Sequence, residues 1–270
     1  MRSLNIVAVC RMPDKMDDAA AVLGGIVDLT AYEAASRLRV SRGVPVVVAV
    51  YPDPSTAEDA AGRLESAGFV TVVLKDDGIE SEDQRFIVRK FSFEDTRLSV
   101  ESRDGDKMSV DYGRFDFMLR GTCITRSART RVEKGRKFSL GRAVISGGLV
   151  MSRSTKRHHV DTSESREGFV HLYADDLIMV FRESSLVYSS LGSLMKPARP
   201  ANFAVVVDEL RRRCRNVSFS DSLLARSAQA QILGPLFSPE EDLDIAISLV
   251  TGAARESTCH RPLPGNRGRG

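Results

Sequence analysis

Residues able to do chemistry at usable spacing are few in this chain. In "CITRSART" five residues separate Cys123 from Arg129, with Thr130 next. A thiolate that attacks phosphorus and an arginine that clamps the oxyanion need that spacing, together with a helix N-terminus to lower the thiol pKa. Thr122 and the antiparallel-looking "FDFML" upstream argue instead for a cysteine at a strand end followed by a basic loop. "GRKFSLGRAVISGGLV", residues 135–150, has the glycine, basic and serine content of a phosphate-cradling loop. Such a loop is G-x-x-x-x-G-K-[ST] between a strand and a helix. Here Gly135 and Gly141 are one residue too far apart, and Arg142-Ala143 replace Lys-Ser/Thr. The β-branched "AVISGGLV" is a poor helix start, so the glycines read as turns or bulges.

His158 and His159 are adjacent and face opposite ways in a strand. His171 and His260 are remote from them, and a zinc site needs four ligands, usually in close pairs. We therefore expect no metal and no cofactor. No Ser-His-Asp order, G-x-S-x-G elbow or G-x-G-x-x-G is visible, and no catalytic residue is assigned.

The anion-binding candidates are basic. From Arg120 to His159 the Lys and Arg residues are Arg120, Arg126, Arg129, Arg131, Lys134, Arg136, Lys137, Arg142, Arg153, Lys156 and Arg157, with Glu133 the only acid. We single out Arg126, Arg129, Arg131, Lys134, Arg136 and Lys137. On one face they would bind phosphate-rich surfaces without base readout. The segment carries only Phe138 as an aromatic, so stacking of single-stranded bases is poorly supported. Clustered like charge is also what a merely solvated face looks like.

The elements that must position these residues fall into two groups. The chain has 270 residues, 42% apolar and 28% charged, with net charge +3, the composition of a globular protein. Apolar runs such as "GVPVVVAV" are too short to span a bilayer. The N-terminus does not read as a signal peptide. Four scattered cysteines (Cys10, Cys123, Cys214, Cys259) point to reduced thiols in a cytoplasmic protein.

Residues 1–75 read as strand, helix, helix, strand, helix, strand. Met16, Ala20, Leu23 and Val27 have helical spacing. Thr30 and Glu33 form a capping box. Asp53 caps a helix with Pro54 at its first position and Gly68 to stop it. Val46, Val48, Leu64 and Val72 are the expected core. "AEDAAGRLESAGFVTVVLK" and "DLTAYEAASRL" resemble the C-terminal domain of the ribosomal stalk protein and the Clp-protease adaptor family, which share one small α/β sandwich fold. The resemblance covers about residues 4–75. The adaptor family holds a substrate's amino terminus with an Asn-Asp pair and a histidine. Here Cys10-Arg11-Met12-Pro13 stands after the first strand and residues 1–75 lack histidine, which puts that recognition in doubt.

"KDDGIESEDQR" is polar without apolar periodicity, so 76–85 is expected to be a linker. Short strands follow: "FIVRKFSF", "RLSVES" and "KMSVDY", the last two joined by the hairpin signal "RDGD". "FDFMLRGTCIT" reads as a fourth, and "GFVHLYADDLIMVFRESSLVY" reads as two strands across an "ADD" turn. "RPANFAVVVDELRRRC" has Phe203, Val206, Val207 and Leu210 on one helical face. "RLSVESRDGDKMSVDYGRFDFML" with this closing helix is similar to the pleckstrin-homology-like barrel over about residues 86–215. "DSLLARSAQAQIL" and "SPEEDLDIAISLVTG" look helical, the second with Ser238 and Glu241 at capping-box spacing and Pro239 at its first position.

The expected fold is α+β: a small α/β sandwich (1–75), a linker (76–85), and a pleckstrin-homology-like β module with closing helices (86–250). That module carries a basic insertion near 125–166, and a disordered tail follows (251–270). The expected function is a non-enzymatic binding or adaptor protein with a protein partner. The alternatives are nucleic-acid or anionic-surface binding through 120–159, and an unrecognised enzyme. Neither the partner's identity nor the oligomeric state is legible.

Overall fold

The computed structural model describes residues 4–13, 18–39, 44–138 and 152–259, with side chains described outside 126–163 and 256–259. The fold is mixed α+β. The N-terminal third forms β1 (Asn5–Arg11), α1 (Ala19–Val27), α2 (Ala31–Leu38), β2 (Val46–Tyr51), α3 (Pro54–Ser66) and β3 (Val70–Lys75). The three strands make an antiparallel sheet of order β2-β1-β3. The local signals act as physics requires. Thr30 and Glu33 close a reciprocal capping box on α2. Asp53 accepts the Thr56 amide with Pro54 behind it. Gly68 leaves α3 at φ +87°, where a side chain would be strained. Val46, Val48, Leu64 and Val72 are all buried.

The remaining strands are β4 (Arg85–Phe93), β5 (Arg97–Ser102), β6 (Lys107–Asp111), β7 (Phe117–Phe138), β8 (Ser152–Ala174), β9 (Leu177–Arg182) and β10 (Ser218–Leu223). They form a seven-stranded sheet of order β10-β7-β8-β9-β4-β5-β6. This sheet is open, with β10 and β6 at its edges. The expected closed barrel is thereby corrected. The reason is β10, which sequence reading assigned in part to a helix: it pairs parallel with β7 and occupies the side on which closure would have to occur.

Helix α4 (Arg199–Arg213) covers one face of the large sheet, burying Phe203, Val206, Val207 and Leu210 against Val170, Leu172, Met179 and Phe181. Helices α5 (Arg226–Leu233) and α6 (Leu243–Cys259) belong to the core of the other face. That core also takes in Ile6, Ala8, Val47, Val72 and Leu74 from the small sheet and Leu119, Phe169 and Tyr173 from the large one. The small sheet's opposite face is filled by its own helices, with Leu23, Leu38 and Leu64. Residues 1–75 therefore do not own both faces of their sheet, and the expected division into two separate cores gives way to a shared one.

Three further expectations change. The 76–85 segment is not a loose linker: it makes 3-10 turns at Asp76–Gly78 and Glu82–Gln84, and Glu80 and Arg85 are buried. Helix α6 starts at Leu243 rather than near Pro239, because Asp242 accepts the Ser238 amide at 2.7 Å and holds 238–242 in a turn. The expected disordered tail from 251 is helical through Cys259, while 260–270 lie outside the described residues.

By contacts the chain divides into one unit of Met1–Cys123 with Glu167–Gly270 and a second unit of Ile124–Arg166. The second unit consists of the continuing lengths of β7 and β8 and the residues between them.

Candidate functional site

Among the described residues a dense set of titratable groups is buried where three segments meet. Strand β8 alternates: Val170, Leu172 and Ala174 enter one core, while Phe169 and Tyr173 enter the other. His171 shares the face of Phe169 and Tyr173, with ring centroids 5.1 and 6.1 Å from theirs. Helix α6 presents Asp244, Ser248 and Thr251, which recur at four- and three-residue spacing on one side. The chain before β4 brings Glu80, and β4 opens with Arg85.

Tyr173 is the hub. Its hydroxyl donates to Glu80, 2.9 Å from Oε1 and 3.2 Å from Oε2. Thr251 Oγ1 lies 3.1 Å from the same hydroxyl and 2.9 Å from the Ile247 carbonyl, and its one proton serves one of them at a time. His171 Nδ1 is 3.2 Å from the Tyr173 oxygen and 3.6 Å from Glu80 Oε2. The Glu80 amide donates to Ser248 Oγ at 2.9 Å, and that hydroxyl donates to the Asp244 carbonyl at 2.7 Å. Arg85 lies 2.7 Å from the Asp244 carboxylate and 3.6 Å from that of Glu80, and also donates to the Glu80 carbonyl at 3.3 Å. Its Nε has no hydrogen-bond partner.

Burial sets the protonation states. It is the largest influence on His171, holding the imidazole below its ordinary value, so the ring is neutral near pH 7. Burial alone would raise Glu80, but the nearby His171 ring, the hydrogen bond from Tyr173 and the charge of Arg85 outweigh it and keep the carboxyl below its usual range. Tyr173 is pushed far up, first by burial and then by the neighbouring carboxylate. The cluster thus holds an ionised Glu80, a neutral His171 and an un-ionised tyrosine beside the Arg85 guanidinium.

A Glu–Tyr–His chain is able to relay protons. Here, however, Tyr173 is 0%, His171 2% and Glu80 9% exposed, so these groups lie in the interior. What the arrangement does is fasten the 80–85 segment, β8 and α6 to one another through groups that satisfy each other. Sequence reading set Glu80 aside as linker and His171 as remote. The missed signal was the alternation in "GFVHLYA", which puts His171 and Tyr173 on one face.

A surface groove of about 590 Å³ lies over β4–β6, lined among others by Lys90, Ser92, Ser99, Glu101, Lys107 and Ser109. These side chains belong to the outer face of the sheet and stand in rows fixed by strand register: Lys90, Glu101 and Lys107 across one row, Ser92, Ser99 and Ser109 across the next. Lys90 Nζ lies 2.6 Å from Glu101, and Lys107 Nζ 3.9 Å.

The expected anion-binding residues Arg126, Arg129, Arg131, Lys134, Arg136 and Lys137 fall on β7, within Phe117–Phe138, and their side chains lie outside the described residues. The same holds for His158 and His159 on β8. Cys123 lies within β7, whose strand continues through Arg129. Its backbone follows the ladder rather than a phosphate-cradling loop, and no helix N-terminus follows it. Among the described residues no group of three or more His, Cys, Asp or Glu side chains is placed to hold a metal ion. None of the described helices is long and apolar enough to cross a membrane. No protein-family model, curated protein or solved structure matches the chain.

Proposed function

We propose that this protein is a non-enzymatic binding protein, an adaptor that acts through protein–protein contacts. The observation that carries the reading is the ribbon of β7 and β8. These strands have 22 and 23 residues, whereas strands in globular proteins usually have about 3–10. Their lengths within 124–166 belong to the unit Ile124–Arg166, whereas the cores belong to the other unit. Chain beyond what the cores use is available to something outside them. The enclosed Glu80–Tyr173–His171 cluster supports the same reading, because its groups are engaged in holding segments together. The test is affinity capture with the full chain and with a variant in which 126–163 is replaced by a two-residue Asn-Gly hairpin turn. A stoichiometric protein partner should be captured by the first and lost from the second. Equal capture by both, or none by either, would sink the proposal.

The charge of the same ribbon favours a second reading, binding to polyanions. Eleven Lys and Arg against one acid between Arg120 and His159 is a strong local excess. Contacts to phosphates on a duplex would weaken with salt at a log–log slope of about −0.9 per phosphate. Reversal of Arg129, Arg131 and Arg136 to glutamate should then abolish binding to duplex nucleic acid and anionic vesicles. Binding that survives the reversal, or no binding at low salt, excludes this reading.

A further inference from the structure

Strand β6 forms one edge of the large sheet, with β5 as its one neighbour among the described strands. The hydrogen bonds Ser102 N–H to Asp106 O (2.8 Å) and Tyr112 N–H to Thr96 O (3.1 Å) fix which pairs of the β5–β6 ladder exchange bonds. By that alternation Met108 and Val110 direct their backbone groups to β5. Lys107, Ser109 and Asp111 direct theirs outward, where among the described residues they form an unused template.

The side chains carry a pattern that matches this edge. Strand register places the outer face in three rows. The first runs Lys90, Glu101, Lys107 and ends positive at the edge. The second runs Ser92, Ser99, Ser109. The third contains Arg97 and Asp111, with Glu94 joined to Arg97 through its backbone amide, and ends negative. Arg97 Nε is 2.7 Å from Asp111. Signs therefore alternate along both charged rows, and the two rows reach the edge with opposite charge.

We propose that β6 is a self-complementary edge along which two copies of this chain pair antiparallel, with the two-fold axis at Ser109. That axis sets Lys107 opposite the partner's Asp111 and Asp111 opposite the partner's Lys107. The charged rows then continue across the joint as Lys90, Glu101, Lys107 and, from the second copy, the equivalents of Asp111, Arg97 and Glu94, alternating throughout. The three opposed pairs each exchange two backbone bonds. Met108 and Val110 face each other across the joint on the inner side, extending the layer in which Val110 is already buried. A strand contact can be isologous only if its sequence is complementary to its own reverse, and Lys-Met-Ser-Val-Asp meets that condition in charge, in hydroxyl and in apolar position. The side chain of Lys107 remains 76% exposed, which leaves it able to reach across. This inference does not depend on the ribbon or on either reading of it.

Sedimentation velocity of the full chain from about 1 µM to about 1 mM tests it. A concentration-dependent dimer that weakens with salt is expected. Lys107→Glu places two acids opposite each other, and Asp111→Lys two bases; each alone should weaken self-association by about tenfold or more. An equimolar mixture of the two variants restores opposite charge at both positions and should form a hybrid dimer. Ser109→Pro removes the central outward N–H at a position where an edge strand accommodates proline. It should leave the circular dichroism spectrum unchanged and abolish the dimer, and it decides the matter if either charge variant fails to fold. A chain monomeric over the whole range overturns the proposal. So does a dimer indifferent to folded Ser109→Pro, or two folded charge variants whose mixture stays monomeric.

Discussion

Removing a single oxygen at the hub of the buried cluster, Tyr173→Phe, is the sharpest perturbation available. The ring is fully buried and packs 5.7 Å from Phe117, centroid to centroid. The substitution leaves that packing in place and opens no cavity. What it removes is the donor to Glu80 at 2.9 Å and the neighbour of Thr251 at 3.1 Å. A hydrogen bond to a charged group contributes about 1.5–3 kcal/mol, and a neutral one about 0.5–1.5. Tyr173→Phe should therefore cost about 2–3 kcal/mol by urea unfolding, because the carboxylate stays buried with one donor fewer. Thr251→Val, which leaves the Tyr173–Glu80 bond intact, should cost about 1 kcal/mol. The double variant Tyr173→Phe/Glu80→Gln should cost less than the sum of its singles, since a neutral amide no longer needs the lost donor. A cost below about 0.5 kcal/mol for Tyr173→Phe, or strict additivity in that cycle, would refute the view that this contact holds the 80–85 segment to the sheet.

Acidification should weaken the fold in two stages. His171 binds protons less readily in the folded chain than its ordinary value near 6.5, so its contribution is complete above that value and falls as pH drops below it. Glu80 is held below its ordinary 4.5, so its contribution persists above that value and is lost as pH falls further through the folded one. Urea midpoints at pH 7.5, 5.5 and 4 check this, and a midpoint unchanged between pH 7.5 and 5.5 would contradict the His171 part. Gly121→Ala would put a Cβ 2.9 Å from the Leu223 Cβ and against the Phe169 ring. It should cost about 1–3 kcal/mol, partly recovered by Phe169→Leu. A fragment of residues 1–80 should fail to fold alone. It would expose Ile6, Val47, Val72 and Leu74, each at most 7% exposed in the whole chain, at about 1.5–3 kcal/mol apiece, against a total stability of about 5–15. A native-like circular dichroism spectrum with no dye binding would show that the small sheet stands without its cover.

Local rules were legible wherever the physics is local. The Thr30–Glu33 box, the Asp53–Pro54 start, the Gly68 stop and the Gly105 hairpin at φ +94° all depend on a few adjacent residues. The amphipathic face of α4 was equally plain, because Phe203, Val206, Val207 and Leu210 recur at helical spacing. What stayed hidden depends on partners far along the chain. The β-branched run of β2 reads the same whether its second face meets water or another sheet. Strand β10, "SFSDSL", is half-polar and becomes a strand by lying beside β7. Glu80 and Arg85 sit in a segment whose composition says loop. Their burial comes from Tyr173, 93 positions from Glu80, and from Asp244 on α6. The site was illegible for the same reason, since no short motif joins residues that meet only after three segments close on one another.

The bond from the Glu80 amide to Ser248 spans 168 positions, and this sets a timetable for synthesis. The small sheet has all its strands by Lys75, yet one face stays bare until α5 and α6 have been made. At about 5–20 residues per second, that wait is roughly 10–35 s. Through that interval the nascent chain displays Ile6, Val47, Val72 and Leu74 on a finished but uncovered sheet. Such a surface invites holding factors and misassociation, so yield in the cell should depend on how quickly the C-terminal third follows the first. Slower decoding between Asp76 and Leu243 would lengthen the exposure without changing one residue of the product.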